Sequence, residues 1–135
     1  MRIAFDLDGT LIPIGENQFP IFFVPLPMRL FFREPIRQGT RELMKILHEQ
    51  GHDLWVYTSS FRSKWYIWFF FRALGVKLKG VVNGDVHAKL RHHHTSTPSK
   101  FPPAFDIDIL IDDSLGVEME GKKHGFQVLM FVRVI

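Results

Sequence analysis

The sequence predicts an α/β protein, three layers deep (α/β/α), around a mainly parallel sheet. Three observations carry this. Apolar runs of strand length alternate with stretches of helix length, the pattern of parallel strands joined by crossover helices. The runs are apolar nearly throughout, as strands covered on both faces require. Three of them end in polar clusters, Asp6/Asp8, Thr58/Ser59 and Asp112/Asp113. In open α/β sheets ligands gather at the carboxyl ends of the strands.

The elements follow in order. Arg2 to Asp6 reads as a strand ending at the first acidic pair. Residues 11–38 are rich in proline and aromatics with no clean period, an irregular excursion holding at most a small hairpin. Gly39 to Gly51 reads as an amphipathic helix, with Thr40 as N-cap, Leu43, Ile46 and Leu47 on its apolar face and Gly51 as terminator. Asp53 to Thr58 is a second buried strand. Ser63 to Leu74 is a helix closed by Gly75, and Lys79 to Val82 a third strand. Residues 84–104 read as a loop. Ile107 to Ile111 is a strand ending in Asp112-Asp113-Ser114. A short helix through Glu118 to Lys123 and a strand over Val128 to Val132 follow.

Composition narrows the class. At 135 residues, 46% hydrophobic and 23% charged, the chain suits one globular domain, 1–135, with 11–38 as a flap. It has no cysteine, which excludes thiolate chemistry and fits a reducing compartment. The opening residues do not read as a signal peptide, so a cytoplasmic location is expected. Two stretches are strongly apolar, Phe19 to Leu26 and Trp65 to Phe71. Both fall short of the ~20 residues that span a bilayer. They read first as core, or as a surface covered by a partner, which leaves a homo-oligomer through the aromatic surface open, with shallow membrane contact beside Arg62, Lys64 and Arg72 as the lesser reading. The net charge of +3 admits an anionic substrate and gives no indication of nucleic acid, because the basic residues are dispersed.

The chemistry-bearing stretch is Asp6-Leu7-Asp8-Gly9-Thr10. Two carboxylates flank one apolar residue at the end of a buried strand, where their repulsion is offset by a divalent cation. Ile3 to Leu11 resembles the first signature of the haloacid dehalogenase (HAD) superfamily of phosphatases. Val56-Tyr57-Thr58 resembles the second, and Ile109 to Asp113 the acidic fourth. The third is a lone lysine upstream of the fourth, for which Lys100 is the first candidate and Lys89 its competitor.

The resemblance implies a Rossmann-like HAD core without a large cap domain. It implies a Mg²⁺-dependent phosphomonoester hydrolase working through an aspartyl-phosphate. Asp6 is the expected nucleophile and Asp8 the general acid and base, its backbone carbonyl also facing the metal. Thr58 and the backbone N–H groups of Leu7 and Ser59 are expected to hold the phosphate, and Lys100 to neutralise it. Asp6, Asp8 and Asp113 are the expected metal ligands, with Asp112 a weaker or outer one and Glu118 a holder of metal-bound water. The substrate class stays open, small phosphate ester or phosphorylated macromolecule. Two other readings share these residues: a receiver-like phospho-acceptor domain, and a catalytically weak scaffold that binds phosphate or a partner. His92-His93-His94 read as a solvated loop, His87 as reaching the site rim at most, and Arg62 as surface.

Overall fold

A computed structural model describes residues 1–15, 18–91 and 98–131. The strands are β1 (Arg2–Phe5), β2 (Ile21–Phe22), β3 (Ile36–Arg37), β4 (Asp53–Tyr57), β5 (Gly80–Val82), β6 (Ile109–Asp112) and β7 (Gln127–Met130). The helices are α1 (Thr40–Glu49), α2 (Lys64–Ala73), α3 (Gly84–Arg91) and α4 (Leu115–His124). Five strands form a parallel sheet in the order β5-β4-β1-β6-β7. β2 and β3 pair antiparallel as a small separate hairpin within the excursion.

β1 is central, with Phe5 level with Val56 of β4 and Ile111 of β6. Its side chains alternate between two cores. Ile3 and Phe5 join Leu54, Val56 and Ile111 under Met44 of α1 and Ile67, Phe70 and Phe71 of α2. Ala4, Tyr57 and Leu110 meet Val86 of α3 and Val117 of α4 on the opposite face. Each fully buried phenylalanine or leucine here contributes about 1.5–3 kcal/mol of transfer free energy. This is the three-layer α/β/α arrangement expected from the sequence.

Three local expectations are corrected. The helix cap at α1 is Gly39, in the left-handed region (φ 92°), while the Thr40 hydroxyl is buried without a partner among the described residues. The apolar face of α1 centres on fully buried Met44. Ile46 is half exposed, so the stripe is rotated by about one residue from the expected one. Residues 84–91 form α3 rather than loop. Asn83 caps it, its Oδ1 accepting the Val86 N–H at 3.0 Å. Gly84 opens the helix because a Cβ there would lie 2.9 Å from the Ser59 carbonyl and from the Phe61 ring. Its glycine answers close packing, not a break in the helix. The remaining helices match closely: Ser63 caps α2 and Gly75 (φ 85°) follows its end, while α4 begins at Leu115 with Ser114 as cap. The His92-His93-His94 reading lies outside the described residues.

Candidate active site

The strand ends meet as the topology dictates. Because β1 lies between β4 and β6, Asp6, Thr58 and Asp112 leave the sheet side by side at its carboxyl edge. The Asp6 N–H still donates to the Ile111 carbonyl at 2.9 Å, so the nucleophile candidate sits on rigid backbone. Asp6, Asp112 and Asp113 each offer a carboxylate oxygen, all within 4.8 Å of one another.

Lys100 enters this cluster from outside the sheet. Its Nζ donates to Asp6 Oδ1 and Asp112 Oδ2, both at 2.6 Å, and the residue is buried. Burial opposes its charge, but Asp6 and Asp112 outweigh burial and hold the ammonium above its ordinary pKa. Lys89, the competing lysine, is exposed on α3.

The segment carrying Lys100 is strapped on both sides. Ser99 donates through its N–H and hydroxyl to Glu120 of α4 at 2.8–3.0 Å. The Phe101 N–H donates to Tyr57 Oη at 2.9 Å. Tyr57 Oη lies 2.6 Å from His87 Nδ1, and His87 Nε2 lies 3.0 Å from the Pro98 carbonyl. A carbonyl only accepts, so Nε2 carries the hydrogen, and in a neutral ring Nδ1 accepts from Tyr57. His87 is therefore a buried strut of the Lys100 segment, not a residue of the site rim.

The opening of the site is set by Gly9 and Thr10. Gly9 has φ 85°, and a Cβ there would lie 2.4 Å from Asp113 Oδ2. Only glycine lets Asp113 approach this backbone. The buried Thr10 hydroxyl lies 2.9 Å from Asp6 Oδ2 and 3.2 Å from Asp113 Oδ1, tying together the carboxyl ends of the adjacent strands β1 and β6.

Asp8 faces elsewhere. Its carboxylate takes a bidentate pair from Arg62, both bonds 3.0 Å. That carboxylate lies outside the three-carboxylate cluster, which holds Asp112 beside Asp6 and Asp113; the expected metal contact of Asp8 is through its backbone carbonyl. Arg62 is likewise half-buried rather than a free surface residue. Its guanidinium also binds Glu34 of the excursion at 2.6 Å, and Glu34 in turn accepts from Tyr66 Oη at 2.8 Å. Burial works against the Arg62 charge, yet Glu34 and Asp8 raise its pKa further. Thr10 stands in the chemistry-bearing stretch, one glycine beyond the acidic pair, but its role was not read from the sequence, and nothing local to Glu34 points to that residue.

Thr58 is buried, its Oγ1 donating to Ser60 Oγ at 3.0 Å and accepting the Ser60 N–H at 3.1 Å. Ser59, inside that tight turn, is exposed. Glu118 pairs with Lys122 at 3.3 Å along α4 and lies outside the carboxylate cluster. Burial is the largest influence on Asp6. It lifts the carboxyl from 3.8 to about 6, against the pull of Lys100 and with the help of Asp112's negative charge.

This architecture and this cluster define an α/β protein of HAD-like fold. No protein-family model matches the chain, and no curated protein does. Solved structures match across nearly its whole length. A hydrolase from Streptococcus pneumoniae TIGR4 superposes with a TM-score of 0.59 at 12% identity, covering 98% of this chain and 93% of that one. A putative beta-phosphoglucomutase from Thermotoga maritima gives 0.55 at 14% identity, covering 99% and 86%. A chain of the Pnkp1/Rnl/Hen1 complex gives 0.57 at 15% identity. The present chain is matched over 96% there but spans only 45% of that relative's length. At such identities the likeness is one of fold.

Proposed function

We propose that this chain is a Mg²⁺-dependent phosphomonoester hydrolase of the HAD type, acting through a phosphorylated Asp6. The observation that carries this is the buried Lys100 ammonium bridging Asp6 and Asp112 at 2.6 Å inside a cluster of three carboxylates. Three carboxylates against one ammonium leave two negative charges, which one divalent cation neutralises. The donors are all hard oxygens, as Mg²⁺ requires, so the residues fit the ion. Asp6, Asp112 and Asp113 would hold it, with the Asp8 backbone carbonyl beside them. Bound there, it would withdraw charge from the transferring phosphoryl group.

The chain's own groups supply the rest. An Asp6 oxygen attacks phosphorus, and the bond from phosphorus to the leaving oxygen breaks. Asp8, released from its Arg62 pair and protonated, gives that oxygen its proton. In the second half, water attacks the phosphorus of phospho-Asp6 and gives its proton to Asp8. The Asp6–phosphoryl bond breaks, freeing inorganic phosphate and restoring the carboxylate. Lys100, the Thr58 hydroxyl and the N–H groups of Leu7 and Ser59 would hold the phosphoryl oxygens, each such donor being worth about 10²–10³ in rate. Before its release, Arg62 fixes the direction of the Asp8 carboxylate and ties it to the excursion through Glu34.

The test is hydrolysis of p-nitrophenyl phosphate with Mg²⁺ and with EDTA, in wild type, Asp6→Asn and Asp8→Asn. Activity in wild type that needs Mg²⁺, vanishes in Asp6→Asn and falls severely in Asp8→Asn is expected. Full activity of Asp6→Asn would end the nucleophile assignment. A long-lived phosphoprotein without phosphate release would favour the receiver-like alternative, and Mg²⁺ binding without turnover the scaffold.

A further inference from the structure

The apolar stretches divide sharply on folding. Ile67, Phe70 and Phe71 of α2 are buried, but Phe61, Trp65 and Phe69 stay outside, Trp65 71% exposed and Phe61 72% exposed. Leu26, Leu30 and Phe31 of the excursion do the same, Phe31 at 72% exposed. The two groups adjoin. Phe32, next to Phe31, packs on Tyr66 and Phe70 of α2 with ring centroids 5.5 and 5.6 Å apart. Glu34 then binds Tyr66 and Arg62. The excursion and α2 therefore adjoin on the Asp8 side of the site, each carrying exposed apolar side chains. An apolar recess of about 290 Å³ between Trp55, Trp65 and Trp68, with Lys64 on its rim, continues the α2 part.

Charge says what covers this surface. From Phe19 to Arg33, and again from Phe61 to Gly84, the chain has no Asp or Glu. Arg29, Arg33, Lys64 and Arg72 are all exposed there. The nearest acid, Glu34, is already engaged by Arg62 and Tyr66. A second copy would set this positive face against itself. Single-stranded nucleic acid would stack on the rings but gains nothing from exposed Leu26 and Leu30. Tryptophan and phenylalanine beside leucine, with Arg29 over the Phe23 ring, Lys64 on the recess and Arg33 and Arg72 exposed on the same segments, match the boundary of an anionic bilayer.

We propose that the excursion and the outward side of α2 seat the molecule on anionic phospholipid, with the phosphate site opening alongside the membrane. Shallow insertion of Leu30, Phe31 and Trp65 would supply apolar burial. Each nearby cation adds roughly fivefold in affinity for the charged surface.

Vesicle flotation tests this, using phosphatidylcholine vesicles with and without phosphatidylglycerol. Binding only to the phosphatidylglycerol vesicles, weakened by salt, with a blue shift of tryptophan emission, is expected. The double variant Phe31→Ser/Trp65→Ser should lose binding by at least about tenfold. It should keep the wild-type circular dichroism and the wild-type rate on soluble p-nitrophenyl phosphate. Arg33→Glu/Lys64→Glu should weaken binding similarly, which keeps the test sound if the first variant folds poorly. No binding to either vesicle, equal binding to both, tighter binding to a single-stranded oligonucleotide, or a dimer that Trp65→Ser dissolves would each overturn the proposal. Asp6→Asn should still float with vesicles. The lipid surface and the phosphatase reading can thus fail independently.

Discussion

Asp6 is held in a site that resists its charge. Burial raises its pKa to about 6, above the unfolded value of 3.8, despite the Lys100 bond. A group raised in this way contributes stability that is present below pH ~4 and lost as pH climbs through ~6, because the folded state then holds the proton more tightly. In metal-free protein the stability of wild type relative to Asp6→Asn should therefore fall between about pH 4 and pH 7. The expected change is on the order of 1–3 kcal/mol. Urea unfolding of both proteins in EDTA checks it, and a difference that does not move with pH would contradict the burial effect. At this scale Asp6, Asp112 and Asp113 were legible, since each stands at a strand end whose neighbours the parallel pattern dictates, whereas Lys100 lies off the sheet and was reached only through the family resemblance. The Arg62–Asp8 pair was not. Its geometry depends on Glu34, from an excursion without periodicity, meeting the loop after β4.

The elements show where local sequence misleads. Gly84 reads as a loop residue, and only the packing of Phe61 and the Ser59 carbonyl against its bare Cα explains it. The signal for α3 was Asn83, a good N-cap two residues before Asp85. Asn83 does double duty: it caps α3 and its Nδ2 donates to the Arg62 carbonyl at 3.0 Å. Asn83→Ala should cost about 1–2 kcal/mol by chemical denaturation. It should also lower phosphatase turnover more than it raises KM, because the Arg62 segment loses its tether. Unchanged stability would remove the cap assignment. At α1 the failure was subtler. Thr40 is a better cap by composition, but Gly39 reaches the left-handed backbone that the turn from β3 demands.

Over the whole molecule, the parallel sheet was legible from the alternation of strands and helices, while its order β5-β4-β1-β6-β7 comes from the structure. It places every strand-end cluster at one edge. The small hairpin of the excursion was anticipated without its register, while the strap around Lys100 was not legible, because its partners are set by contacts such as Tyr57 with His87 and Phe101. The two uncompensated charges of the cluster make a global prediction. Mg²⁺ should stabilise the fold by about 2.7 kcal/mol at a hundredfold excess over Kd. Each kcal/mol raises Tm by roughly 3–6 °C at this size. Asp113→Asn should abolish most of that gain in a thermal melt with and without Mg²⁺, and an undiminished gain would place the ion elsewhere.

Lys100 lies 94 residues along the chain from the carboxylate it grips. A ribosome therefore releases Asp6 and Asp8 long before the ammonium, β6 and its acids emerge to meet them. Until that moment the nascent chain has a half-built sheet with an open edge, and its first acidic pair stands without the ammonium that later grips Asp6. A product cut short before Lys100 keeps that pair but cannot assemble the cluster.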